Sequence, residues 1–363
     1  MIAVVVLFWL SFGALVWTHV AYPLAAYGLA RIRTRPVRTS DALPTVALIV
    51  AAYNEEGVIE RRVENLRALD YPKDRVEIVV TSDASSDATE DLAARAGARV
   101  VRNPRGGKVA AQDHAVRETS SEVVAFTDAN STWLPDALRA LVRAFADPDV
   151  AYVCGRLNVQ ADDGRNKEGL YWRYELGVRA AESRIDSVTG GNGSIYAVRR
   201  ADYVEVDPRF GHDLSLPYLM VQRGRRAVYE PSANAYEKAT PTTEDEYRRK
   251  VRMFEHCWAI VLEGKMLRRL RPLYLVEVLS HRHLRYASGL LHVVLLGTSI
   301  ALLGHGVVYA VVLGLQLGVL AAALLGVGLP RYYVLVTWAT LQSLVNYLRH
   351  GVPATWDPAE GTR

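Results

Sequence analysis

Two oxygen-bearing side chains stand close together after a short apolar run in the middle of the chain. Asp128 and Asn130 follow the apolar residues Val123–Phe126. If that run is a buried strand, both side chains lie beyond its carboxyl end, where ligands bind in an open α/β sheet. A carboxylate and an amide oxygen at this spacing could hold a hard divalent cation against a diphosphate. The same residues could instead form an Asx turn capping a helix that begins near Leu134.

Two earlier apolar runs also end in acidic residues. Val46–Ala51 leads to Glu55, and Val76–Thr81 leads to Asp83. Strand and helix patterns alternate four times as far as residue 126, which predicts an α/β fold with a doubly wound, mostly parallel sheet. The carboxyl ends of its strands meet at one edge, so we expect these acidic residues to lie together. Asp83 could accept hydrogen bonds from a base or a ribose.

A glycine pair stands before a predicted helix. Gly106 and Gly107 lead into Lys108 and the helical pattern Val109–Glu118. Backbone N–H groups at a helix N-terminus favour a phosphate, and glycines let it approach closely. The spacing is not that of a P-loop, and no Gly-x-Gly-x-x-Gly turn follows the first strand, which argues against both of those nucleotide-binding classes.

Further elements follow from periodicity and turn residues. The pattern of Asp245–Leu270 is basic and amphipathic, with Met253, Phe254 and Trp258 on its apolar side, which fits either a helix on a membrane surface or a core helix. The remaining expectations are helices at Val58–Leu69, Thr89–Ala96, Glu168–Arg184 and Leu214–Val221, and strands at Arg99–Arg102 and Val228–Pro231.

Two long stretches contain no Lys, Arg, Asp or Glu. Met1–Ala30 and Tyr286–Pro330 both exceed the roughly 20 residues that cross a bilayer. The first lacks a basic start and a small-residue cleavage site, so we expect a retained anchor. The second could cross twice, with a turn at Gly304–Gly306, and the more polar Tyr332–Leu348 could cross, re-enter or lie at the interface.

Arginines flank these stretches on the side of the intervening segment, which predicts a multi-pass protein of the plasma membrane with that segment in the cytoplasm. The net charge of the chain is +4, and much of the basic excess lies beside the apolar stretches. Anionic lipid headgroups are therefore expected partners, and nucleic acid is not. Cys154 and Cys257 have no paired spacing, which argues against a disulfide or a zinc site. The flanking arginines are Arg31, Arg33, Arg35, Arg38, Arg268, Arg269, Arg271, Arg282 and Arg285.

Over roughly residues 44–265 the chain resembles membrane-bound, inverting family 2 glycosyltransferases with a GT-A catalytic domain. The motifs that carry the resemblance are Ala52–Glu56, Ser82–Thr89, Gly106–Lys108, Asp128–Asn130, Gly190–Arg200 and His212-Asp213. The resemblance implies an N-terminal transmembrane helix (1–30), a cytoplasmic GT-A catalytic domain (31–240), amphipathic interface helices (241–285), a C-terminal transmembrane region of two or three spans (286–350) and a tail (351–363).

The resemblance also implies an activity and a role for individual residues. A sugar would pass from a nucleotide sugar, with UDP as the expected nucleotide, to a polysaccharide or a lipid-linked saccharide, with inversion at the anomeric carbon. By this resemblance, Tyr53, Glu55 and Asp83 contact the nucleotide, Lys108 contacts uridine or the diphosphate, and Arg249 and Arg252 contact the diphosphate. Asp128 and Asn130 are implied to bind the donor and Mg²⁺ or Mn²⁺. Asp213 is implied to be the general base, and Gly191 is implied to lie near the acceptor.

The chain departs from the family pattern at three places. Asn130 replaces the second Asp of the metal motif, and His212 replaces the acidic residue before the base. Arg249–Met253 lacks the Gln and the Trp found in processive synthases, which favours single-sugar transfer to a polyprenyl or other lipid acceptor. Three or four spans are few for a translocation pore, although a homodimer could complete one.

Other interpretations of the same residues stay open. Asp213 could be a helix N-cap, and His212 could be a ligand, a base or a structural residue. Because function depends on the site more than on the fold, the chain could also be a non-catalytic, nucleotide-sugar-binding membrane subunit.

Overall fold

The computed structural model describes residues 1–160, 169–240 and 242–355. The predicted helix start at Glu168, the boundary at position 241 and the end of the tail, Trp356–Arg363, lie outside the described residues.

An eight-stranded mixed sheet forms the centre of the described chain. Its strands are β1 Val46–Ala52, β2 Val76–Asp83, β3 Arg99–Asn103, β4 Val123–Asp128, β5 Thr132–Trp133, β6 Val150–Gln160, β7 Tyr196–Arg199 and β8 Arg226–Lys238. Their order across the sheet is β3-β2-β1-β4-β7-β6-β8-β5. Four neighbouring pairs are parallel and three are antiparallel, which confirms the predicted mostly parallel sheet.

Helices α3 and α6 cover one face of this sheet, and α5 and α8 cover the other. The helices of the described chain are α1 Ile2–Val16, α2 Tyr22–Ile32, α3 Ile59–Arg67, α4 Thr89–Arg95, α5 Lys108–Arg117, α6 Ala137–Arg143, α7 Leu170–Ile185, α8 His212–Gln222, α9 Thr243–Glu263, α10 Pro272–Val278, α11 Leu284–Tyr286, α12 Ser288–Ala301, α13 Val307–Leu324 and α14 Gly328–His350. Two π-helical turns, Trp17–Ala21 and Leu279–His283, join α1 to α2 and α10 to α11.

The apolar strands are buried on both faces, which explains why their sequences are continuously apolar instead of alternating. In β1, Leu48 packs in the layer that contains α3 and α6, whereas Ile49 packs in the layer that contains α5 and α8. The sheet is therefore doubly wound, as predicted, and its central strands are held rigidly.

Two predicted helix boundaries were wrong. The helix expected near Leu134 begins at Ala137, because Thr132 and Trp133 first pair with β8 as a short strand. The helix expected to continue to Leu270 ends at Glu263, since Lys265 adopts a positive φ of 53°, which no right-handed helix allows.

Several helices are long and apolar enough to cross a membrane. By length and composition, Ile2–Ile32 and Val307–Leu324 are candidate spans within the described part of the chain. Pro272–Tyr286 and Ser288–Ala301 would form a third only as a pair bent by 65°. The expected turn at Gly304–Gly306 does separate α12 from α13.

The amphipathic helix α9 packs against α14. Phe254 and Trp258 are buried, and the Trp258 indole Nε1–H donates to the carbonyl of Thr340 (3.0 Å). Met253 stays exposed. Most of the apolar side of α9 is thus covered by protein, and contact of this helix with lipid stays a prediction.

Two of the predicted flanking arginines do not face outward. Arg285 is buried and pairs with Glu175, and the Arg282 Nε–H donates to the Thr189 carbonyl (3.2 Å). These two side chains serve the interior of the protein, so they cannot attract lipid headgroups. Of the arginines predicted to flank the spans, Arg31, Arg33, Arg38, Arg268 and Arg269 are exposed.

Candidate functional site

The strand register brings the predicted acidic residues to one edge of the sheet. Ala52 lies opposite Ser82, and Ala51 lies opposite Asp128, so β1, β2 and β4 end at the same level. Asp83, the last residue of β2, is buried at this edge. The expectation that these strand ends converge is therefore confirmed.

Asp83 holds the glycine turn in place. Its Oδ1 accepts hydrogen bonds from the backbone N–H groups of Gly106 (2.7 Å) and Gly107 (3.0 Å). Its Oδ2 lies 2.6 Å from the Arg105 guanidinium, which in turn stacks 3.3 Å from the centre of the Tyr53 ring. Tyr53, Asp83 and Arg105 thus form one wall of the site, and a nucleotide would have to share the oxygens of Asp83 with this turn.

Glu55 lies on the adjoining loop. Its backbone N–H donates to Thr89 Oγ1 (2.7 Å), and its side chain is half-buried. The loop after β1 is thereby tied to the start of α4, which places Glu55 beside the strand end.

Lys108, the first residue of α5, reaches across the site to Asp128. The ammonium Nζ contacts Asp128 Oδ1 as a close ion pair. Burial lowers the pKa of Lys108, but the neighbouring carboxylates of Asp128, Asp213 and Glu237 outweigh it and raise that pKa above its ordinary value. Lys108 is therefore a fixed positive charge within the field of three carboxylates.

Glu237 is a site residue that the sequence reasoning missed. The Ser194 hydroxyl lies within hydrogen-bond distance of Asp128 Oδ2 (3.4 Å) and in close contact with Glu237 Oε1. Burial, and then the negative charge of Asp128, raise the pKa of Glu237. The sequence predicted that this strand ends at Pro231, so Glu237 was not expected at the edge of the sheet that carries Asp128.

Arg62 also lies beneath the site without having been predicted. Its side chain is almost fully buried, and its Nη2–H donates to Thr127 Oγ1 (2.6 Å). Burial lowers the pKa of Arg62 to about 9, although Asp128 and Glu237 act in the opposite direction. Arg62 stands within the helical pattern of α3, and nothing in the neighbouring sequence indicated that it would be buried beneath the site.

Asp213 stands in the first turn of α8, facing the same site. The N-cap of that helix is Gly211, so the alternative in which Asp213 is the N-cap was wrong. The backbone carbonyl of Asp213 accepts a hydrogen bond from the Gly191 N–H (2.7 Å). Its side chain is half-buried, and its charge acts on Lys108.

Gly191 belongs to a tight loop below Asp213. A side-chain Cβ at this position would lie 2.0 Å from the Tyr152 hydroxyl, so only glycine fits. The Gly191 carbonyl accepts a hydrogen bond from Arg179 Nη2 (3.0 Å). The loop is therefore a close packing point that also supports Asp213 through the backbone.

The two arginines of α9, Arg249 and Arg252, differ in their position relative to this site. Arg249 pairs with Glu246 (Nε to Oε2, 3.0 Å). Burial lowers its pKa, but Glu246 and then Glu237 raise it above the ordinary value, which places Arg249 beside the acidic site. Burial, and then the charge of Arg249, lower the pKa of Arg252, which places Arg252 beside Arg249.

The residues after α14 close over the glycine turn. Gly107 has a φ of 90°, and a Cβ on it would lie 2.0 Å from the carbonyl oxygen of Ala354. Val352 is buried nearby in the chain. We refer to residues 351–355 as the C-terminal strap; the sequence had indicated only a tail here.

Comparisons with known proteins match this description. Residues 47–206 match the family model "Glycosyl transferase family 2". The chain is 34% identical over 178 residues to a "Beta-monoglucosyldiacylglycerol synthase" of Synechocystis sp., covering 44% of this chain and 36% of that protein. It is 26% identical over 300 residues to an "N-acetylglucosaminyltransferase" of Rhizobium meliloti, covering 74% and 70% of the two chains.

A solved structure shares nearly the whole fold. It is the "Mannosyltransferase PcManGT from Pyrobaculum calidifontis in complex with GDP-Man and Mn2+", with a TM-score of 0.74 and 23% sequence identity. The superposition covers 95% of this chain and 97% of that one. The predicted GT-A-type fold is confirmed by this likeness.

Proposed function

We propose that the chain, whose residues 47–206 match the glycosyl transferase family 2 model, transfers a sugar from a nucleotide sugar to a lipid or saccharide acceptor at the cytoplasmic face of the membrane. The observation that carries this proposal is the meeting of Lys108, Asp128 and Asp213 at one sheet edge. These residues supply a cation for a diphosphate, an anion for a metal ion and a base for an acceptor hydroxyl.

The donor would bind between the Asp83 wall and the start of α5. The backbone N–H groups at that helix N-terminus and the Lys108 ammonium favour a diphosphate. Tyr53, Glu55 and Asp83 would then face the nucleoside, which we expect to be the uridine of a UDP-sugar. Arg249 and Arg252 would approach the phosphates from α9, where the guanidinium groups suit oxyanions.

The donor set fits a divalent cation. Asp128 and Glu237 are carboxylates joined through Ser194, and Asn130 adds an amide side chain two residues beyond Asp128. Mg²⁺ is commonly held by one or two carboxylates together with substrate phosphates, and Mn²⁺ suits the same oxygens. A bound ion would neutralise charge on the departing diphosphate. Asp128, Asn130 and Glu237 are the residues we propose to hold it.

Asp213 would act as the general base of a single displacement. The acceptor oxygen forms a bond to the anomeric carbon while the bond from that carbon to the diphosphate oxygen breaks on the opposite face. The acceptor proton passes to the Asp213 carboxylate, and the electron pair leaves with the nucleoside diphosphate. Attack opposite to the leaving group inverts the anomeric centre.

Two classes of acceptor are compatible with the chain, a lipid and a growing polysaccharide. Arg249–Met253 lacks the Gln and Trp expected of processive synthases, and one relative is named a glucosyldiacylglycerol synthase. Both favour addition of a single sugar to a lipid. A growing polysaccharide is the alternative, in which case the product would be long.

Product analysis tests the proposal directly. The purified chain, in lipid extract supplemented with diacylglycerol and Mn²⁺ or Mg²⁺, is given radiolabelled UDP-glucose, UDP-N-acetylglucosamine or GDP-mannose, and the products are separated by size. A small lipid-soluble product supports single-sugar transfer, and a high-mass ladder supports polymerisation. Nucleotide binding without turnover of any donor would instead support a non-catalytic subunit.

A further inference from the structure

The histidine before Asp213 is enclosed in the protein core. His212 is only 3% exposed. Its Nε2 lies 3.2 Å from Asp113 Oδ1, and its Nδ1 lies 3.0 Å from the Tyr196 hydroxyl. Because a carboxylate oxygen accepts, Nε2–H donates to Asp113, while Nδ1 shares a hydrogen bond with the Tyr196 hydroxyl. Both ring nitrogens are therefore engaged within the protein.

Aromatic rings surround this pair. The His212 ring packs edge-on against Phe126 (5.6 Å between ring centres) and Tyr203 (5.9 Å). The Tyr203 hydroxyl also donates to Asp113, which is itself 5% exposed. Hydrogen bonds in such a dry environment are strong and hold one geometry. His212 can thus neither reach a substrate nor rotate freely, which excludes it as the base.

The pair connects the two helices that carry the reacting groups. Asp113 lies on α5, which begins at Lys108, and His212 opens α8 directly before Asp213. No other described hydrogen bond between side chains joins α5 to α8. The apolar residues of both helices pack in one layer, and the Gly191 N–H holds the Asp213 carbonyl, so this buried pair adds a polar link between α5 and α8 at the level of the site.

We propose that Asp113 and His212 are positioning residues that set Asp213 at a fixed distance from Lys108. The inference rests on the proposed function, since it gives the base and the phosphate-binding turn their roles. It also accounts for one departure of the chain from the family pattern. The acidic residue that normally precedes the base is replaced by His212, and a carboxylate is supplied from α5 instead.

A purely structural role makes a different prediction from a positioning role. If the pair only stabilised the core, its loss would loosen α5 and weaken nucleotide binding along with turnover. If it positions Asp213, turnover falls while the nucleotide still binds, because the donor contacts are made by other residues. A misplacement of about 1 Å at a reacting group can lower a rate on the order of a hundredfold.

The experiment compares His212→Phe, His212→Gln and Asp113→Asn with the unaltered chain in native lipid extract. The control is His114→Gln, the neighbouring, partly exposed histidine of α5, whose ring contacts Asn103 and not α8. Turnover is measured with the donor that the unaltered chain uses, and binding is measured by calorimetry with UDP and GDP in the presence of Mn²⁺.

We expect kcat to fall on the order of tenfold or more in His212→Phe and Asp113→Asn, with nucleotide affinity changed by less than about twofold. His212→Gln should recover part of the activity, since its amide can still donate to Asp113. Equal kcat in all variants, an equal loss in His212→Gln and His212→Phe, or affinity falling in step with kcat would each overturn the inference. Failure of the unaltered chain to transfer sugar from any donor would overturn the proposed function, and this inference with it.

Discussion

At the scale of single residues, the site contains a carboxylate, that of Glu237, which lies outside the Asp128–Asn130 motif. Asn130 keeps an oxygen but no charge, whereas Glu237 approaches Asp128 from β8 through the Ser194 hydroxyl. The Lys108 ammonium already pairs with Asp128, yet burial and the charge of Asp128 still raise the pKa of Glu237, so the two carboxylates repel each other. A divalent ion would relieve that repulsion, so Glu237 can restore the charge that position 130 lacks.

Replacing Glu237 by Gln should therefore have opposite effects on metal binding and on stability. We expect Mn²⁺ affinity in the presence of UDP to fall by about tenfold, because a charged ligand is lost. Without metal, thermal stability should rise, since an anion beside Asp128 is removed. Paramagnetic resonance measures free Mn²⁺, and a melting curve measures stability.

Glu230→Gln provides the matched control for this substitution. Glu230 lies on the same strand, seven residues earlier, and accepts a hydrogen bond from the Ser232 N–H (3.0 Å). It should leave both the metal affinity and the stability without metal unchanged. Equal Mn²⁺ affinity in Glu237→Gln and the unaltered chain would exclude Glu237 as a ligand.

Replacing Asp213 by Asn should remove the base while keeping the shape of the site. A general base contributes about 10²–10⁴-fold, so turnover should fall by that factor while UDP affinity stays the same. Radiolabelled product and calorimetry measure the two quantities. Asp207→Asn, in the loop before α8, is the control, since Asp207 pairs only with Arg209 among the described contacts. A variant at position 213 with near-normal turnover would remove Asp213 from the mechanism.

The site residues that belong to short, recognisable sequence motifs were predicted from the sequence. Asp128 and Asp213 belong to short motifs, and Lys108 follows a glycine pair. Glu237 has no such signal, because Pro231 suggested the end of a strand. In the structure β8 continues past Pro231 through an irregular register against β6, a place where a sheet tolerates proline.

At the scale of elements, strands β1 to β4 were predictable, whereas β5, β6 and β7 were not. Strands β1 and β4 are apolar on both faces, and all four strands alternate with helices, so local sequence patterns identify each of them. β5 has only two residues, and β7 has four. β5 pairs with β8, and β7 pairs with β4 and β6, and all of these partners are distant in sequence.

The glycine turn before α5 gives a test at this scale. Gly107→Ala introduces a Cβ at a positive φ and against the Ala354 carbonyl, so we expect a loss of about 1–3 kcal/mol in stability and weaker UDP binding. Gly106→Ala is the matched control, because its nearest neighbour would be the Ala110 side chain at 3.3 Å and its φ is not positive. Melting curves and UDP calorimetry distinguish the two. Equal behaviour of both variants would show that the strap does not press on Gly107.

At the scale of the whole molecule, α14 lies along the catalytic domain and not away from it. Thr340 accepts from Trp258 of α9, and the Asn346 amide donates to Glu255 (2.7 Å) on the same helix. Near its start, the Tyr333 hydroxyl lies 2.8 Å from His292 in α12. With Ala354 against Gly107, the chain after α14 returns to the glycine turn at the edge of the sheet. We therefore predict that Tyr332–Leu348 is an interface helix and does not cross.

Cysteine labelling in sealed vesicles tests this topology. We expect Arg349→Cys to be labelled from the same side as Ser232→Cys in the catalytic domain, and His305→Cys, between α12 and α13, from the opposite side. All three positions are exposed, whereas the native Cys154 is buried and Cys257 half-buried, and the unaltered chain gives the background. Labelling of positions 349 and 305 from one side would mean that α14 crosses.

The C-terminal strap has a practical consequence for anyone producing this protein. A purification handle or fluorescent partner attached after Arg363 would be tethered only a few residues from the contact between Ala354 and Gly107. We expect such a fusion to displace the C-terminal strap from the turn at Gly107. The purified protein would then show low activity although its site residues are unchanged. Met1, at the exposed start of α1, lies outside this contact, so a handle placed there leaves the turn covered.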